Sequence, residues 1–310
     1  LATGDARAAL DLAGTLAFFW YGCGYAKEGR HYLRQSLALA TSPGSEVPGP
    51  VLVQALWADG LLAATQGDAD GAESRAAQCE AATEPGDACA GACAKALRSS
   101  AGVIRGDLAR AVAESEQAYA TRWSGSAPTL AGLLALLCRA HALTVGGRVE
   151  EAIGVLDDLR TLCEERGEQS MRSHGDLLRG QAELARGRLD AAVAHAQAAL
   201  RTKRRLHDSF GIGLTVDLLA LAAGAAGRAE RAARLLGLAE RIWSTHGRAQ
   251  ADVPAWVSAR RACELQARAA LGDADYDVAF HAGHDADTDA GLAYALEPEG
   301  EGLPNSGPHP

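Results

Sequence analysis

The chain has 310 residues, 48% of them hydrophobic but only 5% aromatic, and a formal net charge of -9. This length can bury a large apolar surface, while the acidic balance argues against the bulk of that surface meeting nucleic acid or an anionic membrane. The longest apolar runs, such as Leu214 to Ala226 with Asp217 inside it, fall short of the roughly 20 residues that a bilayer-spanning helix needs.

From the N-terminus, Leu12 to Tyr25 has the apolarity of a signal segment, but Asp5, Arg7 and Asp11 flank it and no basic region precedes it. The run passes directly into Glu28 to Ala40, a second helical pattern, so Leu1 to Ala40 is read as a first hairpin. Leu1 is not Met, and the chain is read as a piece of a longer reading frame. The Pro/Gly-rich stretch Thr41 to Pro50 is the strongest break, followed by weaker ones at Thr83 to Asp87 and Ser124 to Thr129.

Between these breaks a unit recurs, clearest over Leu218 to Trp243. An Ala/Leu-rich run leads to Gly227, and a second run then carries apolar residues at Ala229, Ala232, Ala233, Leu236 and Ala239. Spacings of three and four are the helical period, so the unit is a helix, a tight Gly turn and a second helix. Equivalent glycines stand at Gly67, Gly106, Gly147 and Gly187, separated by 39, 41, 40 and, up to Gly227, 40 residues, with a looser copy at Gly24. Five residues after each turn Gly comes Ala: Ala72, Ala111, Ala152, Ala192 and Ala232. Seven before it comes a small residue: Gly60, Ser99, Ala140, Gly180 and Ala220. Fixed small positions are what two antiparallel helices need where their backbones approach. The ten turn-glycine and alanine positions are therefore assigned to repeat packing.

A loop containing Asp252 and Pro254 follows Trp243, then a helix through Leu271 and two short helices ending near Leu296. Glu297 to Pro310, Pro/Gly-rich with almost no apolar content, is expected to be disordered. The predicted fold is all-α: a right-handed superhelical array of antiparallel hairpins, a tetratricopeptide-like solenoid with a period of about 40 residues. It would span 1–296 as one domain.

These residues also carry a resemblance. The small residue before the turn Gly and the Ala after it are similar to tetratricopeptide repeats, although the period is longer and their usual aromatic positions are lacking. The run from Leu200 through Trp243 to Gly247, with Ala279 to His284 and Ala290 to Leu296, resembles the helical-repeat region of actinobacterial LuxR-type and NB-ARC ATPase-linked transcriptional regulators. The resemblance covers roughly Leu10 to Leu296 and implies regulated transcription in the cytoplasm. The regulator's other parts are not found in this sequence. The lysines Lys27, Lys95 and Lys203 follow Ala, Ala and Thr, so no P-loop occurs, and only the polar tail follows Leu296, where a helix-turn-helix would stand.

No catalytic, cofactor-binding or metal-binding residue is expected. Cys79, Cys89 and Cys93 could bring three thiols together, but they lack a fourth ligand and are read as core, with a redox-sensitive Cys79 pair as the alternative ahead of metal. Asp273, Asp275 and Asp277, like Asp285, Asp287 and Asp289, lack the Gly and Glu of a calcium loop, and the second group is read as a helix cap. His281 and His284 share a helix face without a third ligand. Arg201, Lys203, Arg204 and Arg205 are read as a solvated helix end that complements the dipole, and Asp70, Glu150, Asp190 and Glu230 as acidic helix starts. No nucleophile with its base is recognisable.

The expected function is a non-enzymatic sensor and protein-interaction domain of such a regulator. Its partners would be a protein or the regulator's own ATPase and DNA-binding parts, with a small ligand possible and neither nucleic acid nor membrane bound directly. A free-standing adaptor is the alternative. Eight residues before the turn Gly, Arg98, Arg139 and Arg179 recur in successive units. Stacked at one repeat spacing they would form a basic ladder for an acidic or phosphate-bearing partner; otherwise they are a solvated face or pair with acids such as Glu183.

Overall fold

The computed structural model describes residues 5–40, 47–82, 88–120, 130–244 and 253–297. Among these it is all-helical, with sixteen helices. Five hairpins follow one another: α4 (Gly49–Thr65) with α5 (Ala69–Ala81), α6 (Ala88–Arg105) with α7 (Leu108–Ala120), α8 (Leu130–Val145) with α9 (Val149–Glu164), α10 (Ser170–Ala185) with α11 (Leu189–Arg205), and α12 (Ser209–Ala225) with α13 (Ala229–Ser244). Before them stand α1 (Ala6–Thr15), α2 (Ala17–Gly22) and α3 (Ala26–Ala40); after them α14 (Pro254–Leu271), α15 (Asp273–His284) and α16 (Thr288–Leu296).

The turn glycines explain the hairpins. Gly67, Gly106, Gly147, Gly187 and Gly227 all have φ between 70° and 77°, a left-handed conformation in which a β-carbon is strained. At each, the next residue's amide reaches back five residues, as from Asp68 to the Ala63 carbonyl at 3.0 Å and from Arg228 to that of Ala223 at 2.9 Å. This is a Schellman closure, which satisfies the last carbonyls of one helix and points the chain into the next. Just beyond, Ala72, Ala111, Ala152, Ala192 and Ala232 are fully buried. They meet the small positions of the partner helix: Ser99 donates to the Ala111 carbonyl at 2.8 Å, and a β-carbon on Gly180 would lie 3.0 Å from the Ala192 carbonyl oxygen.

The helices form two layers. The first helices of the hairpins, α4, α6, α8, α10 and α12, pack on one another and then on α14, while the second helices lie outside them. Accordingly α4 and α12 are buried over most of their length, as expected of a helix apolar all round.

Several details depart from expectation. The first hairpin's leading segment is two helices, α1 and α2, separated at Leu16. The break at Thr41 to Pro50 is shorter than its composition suggests: α4 starts at Gly49, with Pro50 in a first turn whose amide needs no helical partner. Pro254 likewise begins α14 instead of lying in a loop. The breaks at Thr83 to Asp87 and Ser124 to Thr129, and the tail beyond Glu297, lie outside the described residues. At the C-terminal end α15 crosses α13 so closely that a β-carbon on Gly237 would overlap the Phe280 carbonyl, and one on Gly283 the Arg234 carbonyl.

Candidate functional site

The inner layer lines a half-open cavity of about 140 Å³. Every inner helix from α4 to α12 lines it, joined by α2 and by the start of α14. The repeat explains which side chains arrive there. Six residues before the turn Gly stand Leu61, Ser100 and His141, and thirteen before it Leu134, His174 and Leu214. Positions seven apart are two turns up one helix face, so each of these inner helices presents one position of that face to the cavity, and α8 presents both.

One wall is a contact between distant parts of the array. Ser209 Oγ donates to the Gly22 carbonyl at 3.0 Å, the Tyr21 and Phe210 rings lie 5.7 Å apart, and the Tyr21 hydroxyl lies 2.9 Å from His174 Nε2. Repeat arrays ordinarily hold only neighbour-to-neighbour contacts; here α2 of the first unit closes onto α10 and α12.

Behind this wall is a buried polar network. His174 Nε2 lies 3.1 Å from the Asp208 carboxylate, which also accepts from Lys203 Nζ at 2.9 Å and from the Gly211 amide at 2.8 Å, capping α12. Burial opposes the charge on Asp208, but Lys203 and His174 hold its carboxyl well below the usual range. Burial pushes the Lys203 ammonium down, against the attraction of Asp208. It also lowers His174, with the Lys203 charge adding to the effect, and raises the Tyr21 hydroxyl, with Asp208 adding to it. Lys203 is thus fully buried, which corrects its reading as part of a solvated helix end. Arg201, Arg204 and Arg205 are exposed or nearly so, with Arg204 paired to Asp289 and Arg205 to Gln169.

Elsewhere in the lining, His141 is 4% exposed and stands edge-on to Trp256, ring centroids 4.9 Å apart. Burial pushes its imidazole down to about 4, against a hydrogen bond with Gln181. His141 Nδ1 and Trp256 Nε1 are both buried without a hydrogen-bond partner.

The arginines singled out by the repeat lie elsewhere. Arg98 makes a bidentate pair with Glu80 at 2.7 and 2.6 Å, Arg139 meets Glu116 at 2.8 Å, and Arg179 meets Asp157 at 2.7 Å and Glu183 at 3.0 Å. Glu80, Glu116 and Asp157 all come from the second helix of the preceding hairpin, so each guanidinium clasps two hairpins together. They sit two residues, about 200° around a helix, from the stripe that faces the cavity.

Among the described residues no group of three His, Cys, Asp or Glu side chains is placed to hold a metal, and no helix is long and apolar enough to cross a membrane. Cys79 and Cys93 are buried and Cys89 exposed; burial pushes the Cys79 thiol up to about 12, the opposite of what a reactive thiol needs. Asp287 caps α16 through the Asp289 and Ala290 amides, and Asp273 and Asp277 pair with Arg268. His281 Nδ1 lies 2.7 Å from the Asp277 carbonyl, and His284 Nδ1 2.9 Å from Asp285.

No known family model matches the chain. Over 124 residues it is 32% identical to proteins of Mycobacterium tuberculosis and Mycobacterium bovis described as "Putative HTH-type transcriptional regulator", a stretch covering 40% of this chain. The chain spans only 14% of the length of these relatives. In fold it is similar to a Rap protein crystallised with competence and sporulation factor, with a TM-score of 0.57 and 10% identity over 93% of this chain and 96% of that one. At that identity the likeness shows the helical-repeat fold alone.

Proposed function

We propose that this chain is the non-enzymatic sensor and protein-interaction region of a larger HTH-type transcriptional regulator of the LuxR-type or ATPase-linked kind. The observation that carries this reading is the convergence of the inner helices on one cavity, with α2 closing onto α12. A molecule seated there would touch several hairpins at once and bias the curvature of the whole array, and so the parts of the regulator joined to it. The similarity to HTH-type regulators supports the setting, and the Rap protein is an example of this fold crystallised with a bound factor. A cytoplasmic site of action follows from that setting. Arg98, Arg139 and Arg179 serve first as clasps between hairpins; an acidic partner would bind them by displacing Glu80, Glu116 and Asp157.

The test is made on the gene in its own chromosome. Filling the cavity with Leu134→Trp is expected to alter transcription from a small set of promoters, while Glu165→Gln, on the exposed outer layer, leaves them unchanged. Unchanged transcripts in the filled variant, with the protein present at its normal level, would end this reading.

A further inference from the structure

The helices flanking the five hairpins leave matching faces bare, and from them we infer that a second copy of this chain docks end to end, the α1 face of one copy on the α14 face of the next. This goes beyond the reading of the cavity and does not rest on it. Of the ten large hydrophobic side chains exposed among the described residues, five lie between Leu12 and Tyr32 and three between Val257 and Val278, while the hairpins between keep only Val145 and Leu206. A repeat array whose terminal units meet solvent carries a polar outer face on them; the flanking helices here do the opposite.

The contacts fix which way each face points. α1 packs on α4 and turns Leu10, Ala13 and Gly14 inward, where a β-carbon on Gly14 would lie 3.5 Å from the Ala55 backbone. Leu12 stands about 200° around the helix from Leu10 and from Gly14; it is 65% exposed, with Ala8, Asp11 and Thr15 exposed beside it. α14 packs on α12 and turns Cys263 to the Ala220 carbonyl at 3.5 Å. Leu265, two residues on, is 60% exposed, with Ser258, Arg261 and Ala262 exposed beside it. The two faces share one spacing, so Ala8, Asp11, Leu12 and Thr15 fall in line with Ser258, Arg261, Ala262 and Leu265. In that register each leucine stands over a smaller residue, Leu12 opposite Ala262 and Leu265 opposite Thr15, which lets the two helices interdigitate. Asp11 stands opposite Arg261, and neither has an ion-pair partner among the described residues. Those charges favour α1 on α14 over α1 on α1 or α14 on α14, which would set like charges together. The alternating course of the chain runs α1 in the direction of α4 and α14 in that of α12, so a docked α1 continues the inner layer.

Such a contact uses a different face on each partner and leaves one of each unfilled, so association continues past the dimer. The test is sedimentation equilibrium of the whole chain from about 10 µM to about 1 mM, the span in which a small interface fills. The weight-average mass is expected to rise beyond that of two copies of the 32.0 kDa chain. Leu12→Glu and Leu265→Glu, both at exposed positions where the fold tolerates a change, should each weaken association at least about tenfold. Mixed one to one, they should regain the affinity of the parent chain and stop at the dimer, because each supplies the face that the other lacks. Asp11→Arg and Arg261→Asp should each associate more weakly alone and recover when mixed, since every contact between unlike copies then pairs opposite charges. A parent chain that stays monomeric over the whole range, a Leu12→Glu or Leu265→Glu protein that still dimerises by itself, or a mixture of the two that does not pair would each overturn the inference.

Discussion

The α4–α5 turn and the α11–α12 turn are built to the same plan and buried to different depths. In the first, Gly67 at φ 70° is followed by Asp68, whose amide closes on Ala63 and whose carboxylate caps α5 through Gly71 and takes Arg30 at 2.7 Å. In the second, His207 at φ 54° is followed by Asp208, whose amide closes on Lys203 and whose carboxylate caps α12 through Gly211 and takes Lys203 at 2.9 Å. In both, the Gly of the first helical turn leaves room for the cation: a β-carbon on Gly71 would lie 2.9 Å from an Arg30 nitrogen, and one on Gly211 would overlap Lys203 Nζ. The side chain of Asp68 is 38% exposed and that of Asp208 only 5%. A single local design thus gives a surface cap in one place and a buried ion pair in the other: the carboxylates differ in depth, and Arg30 has Asp59 and Gln66 as further partners.

The strongest way to break this comparison is to remove the two carboxylates in turn. Asp208→Ala strands a fully buried ammonium, and about 3–5 kcal/mol of unfolding free energy should be lost in urea denaturation. Were its loss no greater than that of Asp68→Ala, depth would not be the deciding variable. Acidification separates the two turns next. An imidazole held neutral by the fold takes up its proton first in the unfolded chain, so stability falls as pH drops from the ordinary histidine value toward the folded one. His141, lowered to about 4 by burial, accounts for about 1–2 kcal/mol between pH 6.5 and 5, and His174, lowered likewise, adds to the slope. Melting curves should show that slope reduced in His141→Gln and His174→Gln but intact in Asp68→Asn. Burial opposes the charge of Asp68, but the Gly71 amide and Arg30 hold its carboxyl below the usual range. Its contribution is therefore present above the unfolded carboxylate range and is lost only in stronger acid.

Asp68→Ala itself should cost about 1–2 kcal/mol, a lost cap and a half-exposed ion pair. The smallest effects belong to the residues just before the two acids. Gly67→Ala puts a β-carbon in the left-handed region and should cost about 1 kcal/mol, whereas His207→Gly relieves that strain and should gain up to about 1 kcal/mol. Equal and opposite shifts in denaturation midpoint would sharpen the comparison; a loss in His207→Gly would show that the imidazole has a role of its own.

The same pair of turns shows what the sequence could disclose. Gly67 and its four equivalents announce themselves, because only Gly takes that backbone without strain, and the alanines five residues on follow from helix crossing. His207 gives no such signal, and Lys203, in a basic run at a helix end, has the local appearance of a solvated residue. Its burial depends on Asp208 and on α10 packing across it. Gly237 and Gly283 were equally silent: each sits in an ordinary helix, and only the crossing of α13 and α15 shows why a side chain is excluded. The cavity is illegible residue by residue, since its wall draws on seven helices. Its signal lies in the register, as Leu61, Ser100 and His141 occupy the same place six residues before successive turn glycines and all line the cavity. The recurring arginines two residues earlier stand out more by composition, but that register aims them at the preceding hairpin.

The closure of α2 onto α12 also sets a schedule for the chain's birth. Gly22 and Ser209 are 187 residues apart, and at a synthesis rate of about 5–20 residues per second the second arrives roughly 10–40 s after the first. Until then Tyr21 lacks Phe210 and has the N-terminal cluster to pack against. The hairpins between can dock one upon another as they emerge, but α2 cannot meet its distant partner until the first helix of the fifth hairpin has been made.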